Sequence, residues 1–329
     1  MEGLQSYRRR LARLLDARER GDARPEPMIP HAPDIDEAGR CSLRYRLSLR
    51  NAPYLIDHCM DGRPVLPMAA ALELMAQFAA AGWPQAQVSE VRDLRVLSGV
   101  VLDGYAPLDL RLRGSETAAP SRILVEIVDA ATSQPCYRAT LVLAPAIPPE
   151  PAFERFERLQ GGIALDASLT YREILFHGER FQGLRRIANL SLPGADAEVL
   201  GSTPEAFLGG AGRERKWLFD PALMDLPPQL AWVWSRRHQD MIALPCGFGR
   251  VQRFGGDPLP RSLRLAFRIR SASHGSLRYD AQFIDAQGRL RLLVEDGEST
   301  MTAVLNRLAP DHPQFQRGLS PAAALRRSG

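Results

Sequence analysis

The residues best suited to chemistry are a histidine in the first half of the chain and an aspartate in the second half. His58 begins the stretch His-Cys-Met-Asp-Gly-Arg-Pro-Val-Leu-Pro, which ends at Pro67. Asp225 lies in Asp-Pro-Ala-Leu-Met-Asp-Leu-Pro-Pro-Gln, where Gln229 follows it by one helical turn. A neutral histidine can accept a proton, and a carboxyl group can supply one. The pair predicts acid–base chemistry across an interface between two parts of the chain.

The surroundings of His58 favour a neutral imidazole. The residue follows an apolar stretch and precedes a helix that Pro67 is suited to start. Burial and a nearby helix N-terminus both lower the pKa of a histidine, so we expect a proton acceptor near neutral pH. Gly62 permits close approach of its backbone N–H to a ligand, where it could hold a carbonyl oxygen that gains charge. A hydrogen-bonded structural histidine is the alternative.

Asp225 precedes two prolines and an apolar segment, which predicts a helix from about Pro228 to Gln239. An aspartate at this place would commonly cap the helix, but Pro227 and Pro228 have no N–H group for it to bind. A carboxyl group in apolar surroundings without such donors should have a raised pKa, as an acid catalyst requires. Gln229 could orient this carboxyl group without adding charge.

Other candidate residues give weaker signals. His177, in Leu-Phe-His-Gly-Glu-Arg-Phe-Gln-Gly, is more typical of a turn that shapes a site than of a residue that touches substrate. The four cysteines are scattered without CxxC spacing, so we expect neither a metal site nor a disulfide framework. The chain contains no phosphate-binding loop and no nucleophile elbow.

The composition is that of a globular protein, and it excludes several classes of function. Of the 329 residues, 45% are hydrophobic and 24% are charged. No apolar run is long enough to span a bilayer, and no secretory signal follows Met1, so we expect a cytoplasmic protein with no membrane association. The net charge is only +4, and acidic residues are interspersed among the arginines, which argues against a nucleic-acid partner.

Hydrophobic periodicity predicts two similar α+β units in tandem. In the first unit an alternating strand at 41–49 precedes an apolar helix from Pro67 to Ala81, and short strands follow. After a proline-dense linker, the same pattern recurs. We place the boundaries at 1–40 for a charged helix (Glu2 to about Ala23) and proline-rich lead-in, 41–145 and 166–306 for the two units, 146–165 for the linker, and 307–329 for a loose tail.

Four motifs together resemble the dehydratase domains of polyketide synthases, over about residues 41–306. They are His58-x3-Gly62-x4-Pro67, Gly178-Glu-Arg-Phe-Gln-Gly183-Leu, Asp225-x3-Gln229 and Leu244-Pro-x-Gly-Phe-Gly-Arg250. The resemblance implies a double hotdog fold, in which two tandem antiparallel sheets are each wrapped around a long buried helix. This agrees with the repeated pattern.

The resemblance also implies a reaction, the dehydration of a 3-hydroxyacyl thioester to the 2,3-enoyl thioester. His58 would take the α-proton, and Asp225 would protonate the departing β-hydroxyl while Gln229 holds it in place. The Gly62 amide would bind the thioester carbonyl. Four more residues are implied as candidates for the substrate channel, namely His177, Gly178, Phe181 and Met224.

The partners implied by the resemblance are those of a synthase. The substrate would be tethered to the phosphopantetheine of an acyl carrier protein, with no other cofactor bound. Ketosynthase and ketoreductase domains would be neighbours, and the family commonly forms homodimers. The phrases that begin at Pro53 and Val65 resemble iterative synthases of polyenes, such as the polyunsaturated fatty acid and enediyne types.

The chain departs from the family pattern at two places. It has His177-Gly178-Glu179 where the family usually has Tyr-Gly-Pro, and Pro227-Pro228 where small residues are usual. Three alternative functions remain open. A product-template or cyclase domain would have a wider cavity, a carrier-docking scaffold would have lost activity, and a hotdog thioesterase would activate water with a carboxylate.

Overall fold

The structure is a computed structural model that describes residues 28–29, 31–103, 106–150, 155–209, 216–256, 258–273 and 275–308. The leading helix expected from Glu2 to Ala23 lies outside these residues, as does nearly all of the tail expected over 307–329. Within the described ranges, no helix combines the length and the apolar character needed to cross a membrane.

The first half of the chain forms strands around one long helix. The strand expected at 41–49 is β2, which ends two residues earlier. Strands β3 and β4 form a short hairpin directly after His58. The elements are β1 (Asp34–Ile35), β2 (Cys41–Leu47), a 3-10 helix (Pro53–Asp57), β3 (Cys59–Met60), β4 (Arg63–Pro64), α1 (Met68–Gly82), β5 (Gln87–Val96), β6 (Leu108–Glu116), β7 (Arg122–Asp129) and β8 (Pro135–Ala144).

The second half repeats this plan with a longer helix. The sequence predicts strands at Ile242–Pro245 and Leu290–Asp296, and the structure extends both of them, as β12 and β15. The elements are β9 (Ile163–Asp166), α2 (Ala167–Glu173), a 3-10 helix (Glu179–Phe181), β10 (Leu184–Ser191), β11 (Gly194–Leu200), α3 (Pro204–Leu208), α4 (Pro221–Gln239), β12 (Ile242–Arg253), β13 (Ser262–Ser273), β14 (Ser276–Ile284), β15 (Leu290–Thr302) and a 3-10 helix (Val304–Leu308).

The two sheets are joined into one. The order of the 13 strands is β1-β2-β6-β7-β8-β5-β12-β15-β14-β13-β11-β10-β9, so β5 of the first half pairs with β12 of the second. That pairing is antiparallel and runs from Gly247 opposite Arg95 to Gln252 opposite Glu90. The expected double hotdog architecture is confirmed, with the added feature that its two sheets are continuous.

Helix α1 is buried because nearly all of its side chains are small or apolar. Its sequence, Met-Ala-Ala-Ala-Leu-Glu-Leu-Met-Ala-Gln-Phe-Ala-Ala-Ala-Gly, presents no wide polar face to solvent. The sheet makes room for it at Gly114, where an added Cβ would lie 2.8 Å from the Phe78 ring. Glycine at this strand position therefore allows the helix to pack closely against the sheet.

Helix α4 begins seven residues before the expected start at Pro228, which is therefore wrong. Its first residue is Pro221, and the Asp220 side chain caps it by accepting hydrogen bonds from the Ala222 and Leu223 N–H groups. Prolines normally end or kink a helix, which is why the sequence predicts a later start. Here Pro227 and Pro228 lie inside the helix, and Asp225 stands in its second turn.

A buried glutamate ties the start of α4 to α1. Glu73 is fully buried, and its carboxyl oxygens accept hydrogen bonds from the backbone N–H groups of Leu218 at 3.0 Å and Phe219 at 2.6 Å. These two residues lead directly into Asp220, the cap of α4. The first half of the chain thus fixes where the helix that carries Asp225 begins.

Candidate active site

A cavity of about 150 Å³ lies where the two halves meet. His58 from the first half and Asp225 from the second both line it, as do His177 and Gln229. The walls are otherwise mostly apolar, and they include Val65, Leu66, Met68, Phe176, Trp232 and Leu244. The structure therefore brings together the expected acid and the expected base, which lie 167 residues apart in the sequence.

His58 is held with one ring nitrogen free. It follows the 3-10 helix Pro53–Asp57, and its Nδ1 lies 2.9 Å from the Val65 carbonyl oxygen. Because a carbonyl can only accept, Nδ1 carries the proton and Nε2 keeps its lone pair. Burial lowers the pKa of His58 to about 4, although the nearby Asp225 opposes this effect. The expected neutral imidazole is confirmed.

The pKa of Asp225 departs from the sequence-based expectation. Burial tends to raise it, but the electrostatic attraction and the hydrogen bond of His177, together with the hydrogen bond from Gln229, outweigh burial, so the pKa is lower than the usual 3.8. The expected raised pKa is wrong. Pro227 and Pro228 do exclude a capping role for Asp225, but the donors that lower its pKa include one from a distant segment, which proximity along the chain does not reveal.

Gln229 orients Asp225 through a chain of buried hydrogen bonds. Its Nε2 donates to Asp225 Oδ2 at 2.9 Å and to the Phe181 carbonyl at 3.0 Å. Its Oε1 accepts from the Tyr171 hydroxyl at 2.8 Å, and that hydroxyl accepts from the Leu184 N–H at 2.9 Å. Because every hydrogen-bonding atom of the Gln229 amide is used, the side chain cannot rotate away from Asp225 without breaking these bonds.

His177 belongs to the acid–base cluster and does more than shape a turn. Its Nε2 lies 3.1 Å from Asp225 Oδ2, and both side chains are 5% exposed. Its ring stacks on Phe176 with 4.1 Å between centroids and lies 5.5 Å from the ring of His58. Ligand-type atoms of His58, His177 and Asp225 all lie within 4.8 Å of one another.

The cluster contains residue types that also bind transition metals, and within the described ranges it is the one such group. His177 Nε2 and Asp225 Oδ2 lie 3.1 Å apart and are hydrogen-bonded to each other, which also suits acid–base chemistry.

Gly178 connects the segment that carries His177 to the residue before His58. The Gly178 N–H donates to the Asp57 carbonyl at 2.8 Å, and an added Cβ would lie only 2.0 Å from Asp57 Oδ1. Arg180 Nη1 donates to the same carboxyl group at 2.8 Å. This close contact sets the spacing of the two histidines, and it requires a residue without a side chain at position 178.

Several expected site residues take other positions. Gly62 lies in the two-residue turn of the β3–β4 hairpin with φ 76°, a backbone conformation that favours glycine, and it does not line the cavity. Phe181 packs behind His58 with 5.4 Å between ring centroids. Phe181, Gly178 and Met224 are likewise absent from the cavity lining, whereas Pro67 lines it and stands at the N-cap of α1.

Some functional residues have no clear signal in the sequence. Tyr171 bonds to Gln229 from a separate short helix, 58 positions away, so no spacing rule connects them. Trp232 could have been found, because it follows Gln229 by three positions and therefore shares a face of α4 with it. Both residues shape the site through contacts that depend on the tertiary fold.

Comparison with protein families gives two matches. The family described as "Polyketide synthase dehydratase domain" matches residues 27–130, and the family described as "Polyketide synthase dehydratase N-terminal domain" matches residues 159–308. Together they cover most of the chain and both sides of the cavity.

Individual proteins agree with these matches. A polyunsaturated fatty acid synthase subunit from Thraustochytrium sp. is 26% identical over 270 residues, which are 77% of this chain and 9% of that protein. The chain therefore spans about a tenth of the length of this relative. Its similarity to synthases of polyunsaturated fatty acids, expected from the phrases that begin at Pro53 and Val65, is confirmed.

Solved structures show the same fold at low sequence identity. The dehydratase domain from the CurJ module of the curacin polyketide synthase has a TM-score of 0.67 at 16% identity, covering 88% of this chain and 100% of that one. The dehydratase domain of RzxB from Pseudomonas fluorescens has a TM-score of 0.64 at 19% identity, covering 84% of this chain and 100% of that one.

Proposed function

This chain belongs to the polyketide synthase dehydratase family, and on that premise we propose that it converts a 3-hydroxyacyl thioester to the 2,3-enoyl thioester by removing water. The observation that carries the proposal is the convergence of His58 and Asp225, from opposite halves, on one cavity. A base and an acid placed this way can act on adjacent carbons of one bound chain.

His58 is the base in this proposal. Its Nε2 lone pair faces a buried site and is fixed by the bond from Nδ1 to Val65, so it can remove the α-proton without first losing a proton of its own. The thioester carbonyl must be polarised for this step. Because Gly62 does not line the cavity, we assign that role to the N-terminus of α1, where the N–H groups of Met68 and Ala69 precede the first intrahelical bond.

Asp225 is the group that faces the β-hydroxyl in this proposal. Gln229 and Tyr171 hold it in one orientation, and the Trp232 ring on the same helix face helps to exclude water. A positioned acid contributes roughly 10²–10⁴-fold to a rate, and so does a positioned base. The proposed step uses only side chains of this chain.

The cavity volume favours dehydration over the cyclase alternative. A poly-β-keto chain must fold on itself before it closes a ring, whereas about 150 Å³ is below the roughly 300–1,000 Å³ typical of pockets that hold drug-sized ligands. A small, mostly apolar cavity leaves more room for one extended acyl chain than for a folded one. The carrier-docking scaffold is disfavoured because core packing alone gives no reason for three polar side chains to converge here.

The partners in this proposal are those of a multidomain synthase. The substrate would arrive on the phosphopantetheine arm of an acyl carrier protein after a ketosynthase and a ketoreductase have extended and reduced it. A homodimer in the cytoplasm is the proposed assembly. These points are supported by family membership and by the similarity to a polyunsaturated fatty acid synthase subunit.

The test is a mass measurement. The protein is incubated with a 3-hydroxyacyl carrier protein or with its pantetheine analogue, and the expected product has lost one water. His58→Ala and Asp225→Asn are expected to abolish most of that loss while the far-ultraviolet circular dichroism stays unchanged. Formation of a cyclised product from a poly-β-keto surrogate, without dehydration, would contradict the proposal.

A further inference from the structure

His177 and Asp225 form a buried pair in which one histidine nitrogen has no hydrogen-bond partner among the described residues. His177 Nε2 lies 3.1 Å from Asp225 Oδ2, whereas His177 Nδ1 is buried and has no hydrogen-bond partner among the described residues. The pair therefore has one satisfied nitrogen, one unsatisfied nitrogen and one carboxyl group, all shielded from solvent. Such an arrangement bears directly on where a proton can reside.

The charge of Asp225 has one ion-pair partner within the described ranges, and that partner is His177. No arginine or lysine there lies within ion-pair distance of its carboxyl oxygens. A buried ion without an opposite charge is costly, and an imidazole can compensate a carboxylate by holding a second proton. An extra proton shared between the two side chains would make the pair neutral overall.

The unsatisfied nitrogen keeps this proton available. When His177 carries two protons, the N–H at Nδ1 has no acceptor among the described residues, and an unmet buried donor costs about 1–3 kcal/mol. Asp225 thus attracts the proton to the pair, and the unmet donor at Nδ1 weakens the hold of His177 on it. Both hydrogen bonds to Asp225, from His177 and from Gln229, end on Oδ2, which leaves Oδ1 for a substrate hydroxyl.

We propose that His177 is a positioning residue that acts through Asp225, by holding with it the proton that the departing hydroxyl receives. The inference rests on the proposed dehydration. In the step, His58 Nε2 takes the α-proton and the C–H electron pair forms the double bond. The C–O bond breaks, and the oxygen takes the proton from the pair and leaves as water. The proton on His58 then returns to the pair, which restores the site.

Few other titratable groups face the pair. His58 is neutral because burial lowers its pKa to about 4. Burial raises the pKa of Tyr171, which reaches the pair through Gln229, and of Tyr279, whose charged form Asp225 would oppose, so neither phenol titrates near neutral pH. Asp57 is paired with Arg180 on the far side of Gly178. Changes in activity near neutral pH should therefore report on the pair.

The test compares two variants that distinguish hydrogen-bond donation to Asp225 from storage of the extra proton. His177→Gln can still donate an N–H to Asp225 but cannot hold the extra proton, whereas His177→Phe can do neither. For His177→Gln we expect the high-pH limb of the kcat profile to move to lower pH while KM changes little. Because kcat on that limb depends on one proton, kcat at pH 8 should fall by about tenfold for every pH unit by which the limb moves. His177→Phe should lose activity at every pH.

A control is His238→Gln, which changes a half-buried histidine near the end of α4 that does not line the cavity. It should keep the wild-type profile. An unchanged high-pH limb in His177→Gln would overturn the inference, and so would an equal shift in His238→Gln. Absence of dehydration by the wild type would instead contradict the proposed function.

A measurement without substrate distinguishes failure of the shared-proton proposal from failure of the proposed function. In protein labelled with ¹⁵N-histidine, the ring-nitrogen chemical shifts of His177 at one fixed pH report which nitrogens carry a proton. We expect them to differ between wild type and Asp225→Asn, because the group that shares the proton is changed. His177→Gln identifies the signals. Identical His177 shifts in wild type and Asp225→Asn would contradict the shared proton whether or not the enzyme turns over.

Discussion

Two buried carboxyl groups occupy the two long helices of this fold, and their pKa values move in opposite directions. Glu73 on α1 has its pKa raised to about 8, mainly by burial. Asp225 on α4 has a lowered pKa although it is buried to a similar degree. Glu73 accepts hydrogen bonds from backbone N–H groups and the Gln77 amide, which are neutral, whereas Asp225 contacts a histidine that can carry charge.

The contrast shows that burial alone does not set the state of a carboxyl group. Neutral dipoles replace only part of the hydration that a carboxylate loses, so Glu73 favours its protonated form. A neighbouring side chain that can hold a second proton, in contrast, offsets the negative charge of a carboxylate with a positive charge. The first helix therefore carries a carboxyl group that joins two elements, and the corresponding helix of the second half carries the carboxyl group to which we assign acid–base chemistry.

The largest expected effect comes from removing each carboxyl group in turn. Asp225→Asn should lower kcat by about 10²–10⁴-fold and change the free energy of unfolding by no more than about 1 kcal/mol. Glu73→Ala should instead lower the free energy of unfolding more than it lowers kcat, because the Leu218 and Phe219 N–H groups lose their acceptor. We expect a loss of about 2–5 kcal/mol in stability. Denaturant unfolding and steady-state kinetics on both variants provide the check.

Glu73→Gln is the matched control for that experiment, since it keeps one acceptor oxygen and nearly the same volume. Its loss of stability should be smaller than that of Glu73→Ala. Equal stability of wild type and Glu73→Ala would show that the tether between the halves contributes nothing.

The placement of His177 beside Asp225 can be disturbed without touching either residue. In Gly178→Ala, the new Cβ would lie 2.0 Å from Asp57 Oδ1, so the segment must shift away from His58. A misplacement of this size costs about 100-fold in kcat. Kinetics and thermal unfolding of this variant should show a large kinetic effect with a smaller one on stability. Gly256→Ala is the control for loss of a glycine alone, because no atom lies within 4 Å of its added Cβ and its φ, like the −81° of Gly178, is outside the left-handed range.

The pH dependence of stability should distinguish Glu73 by its sign. Because its folded-state pKa, about 8, exceeds the usual 4.5, the folded protein binds more protons than the unfolded chain between these values. Its contribution to stability is full below about pH 4.5 and is lost as pH rises through about 8. Asp220, whose pKa burial raises to about 6, acts in the same direction over a lower range.

Glu73→Gln should remove this dependence. The free energy of unfolding of the wild type should fall, relative to the variant, by up to about 1.4 kcal/mol per pH unit between about pH 5 and 8. Denaturant titrations at several pH values would measure it. Parallel curves for the two proteins would mean that Glu73 does not titrate in this range.

The smallest effect is expected for Tyr171→Phe. This change removes the hydroxyl that donates to Gln229 Oε1 and accepts from the Leu184 N–H. A typical hydrogen bond contributes about 0.5–1.5 kcal/mol, so we expect kcat to fall by roughly threefold to tenfold with an unchanged KM. Tyr54→Phe is the control, because its buried hydroxyl has no hydrogen-bond partner among the described residues. Equal kinetics for wild type and Tyr171→Phe would remove Tyr171 from the support of Asp225.

The sequence predicts the fold well because the pattern is local. Periodicity places the helix of the first half within one residue of the observed Met68–Gly82, and the strands around it follow from alternation. The start of α4 fails for a physical reason. Prolines at 227 and 228 usually mark a helix boundary, and they outweigh the start signal upstream, where Asp220 precedes Pro221 at the first helical position.

The site is only partly predictable for a similar reason. His58, Asp225 and Gln229 carry motif spacing, so the sequence identifies them and their neighbours along the chain. Tyr171 and Glu73 have partners that only the tertiary fold brings close, and the pKa direction of Asp225 depends on His177, which comes from a separate loop. An electrostatic contact between residues that are distant in the chain cannot be recognised from one sequence.

The pairing of β5 with β12 has a consequence for how the molecule folds and works. Ion pairs from Arg95 to Glu298 and from Arg250 to Glu90 cross or flank this joint, and no hinge separates the two paired strands. Either half alone would expose a long edge strand, so the halves should unfold in one cooperative transition. The continuous sheet thus fixes the distance between His58 and Asp225, and a substrate of the proposed reaction would enter a cavity whose two sides belong to one sheet.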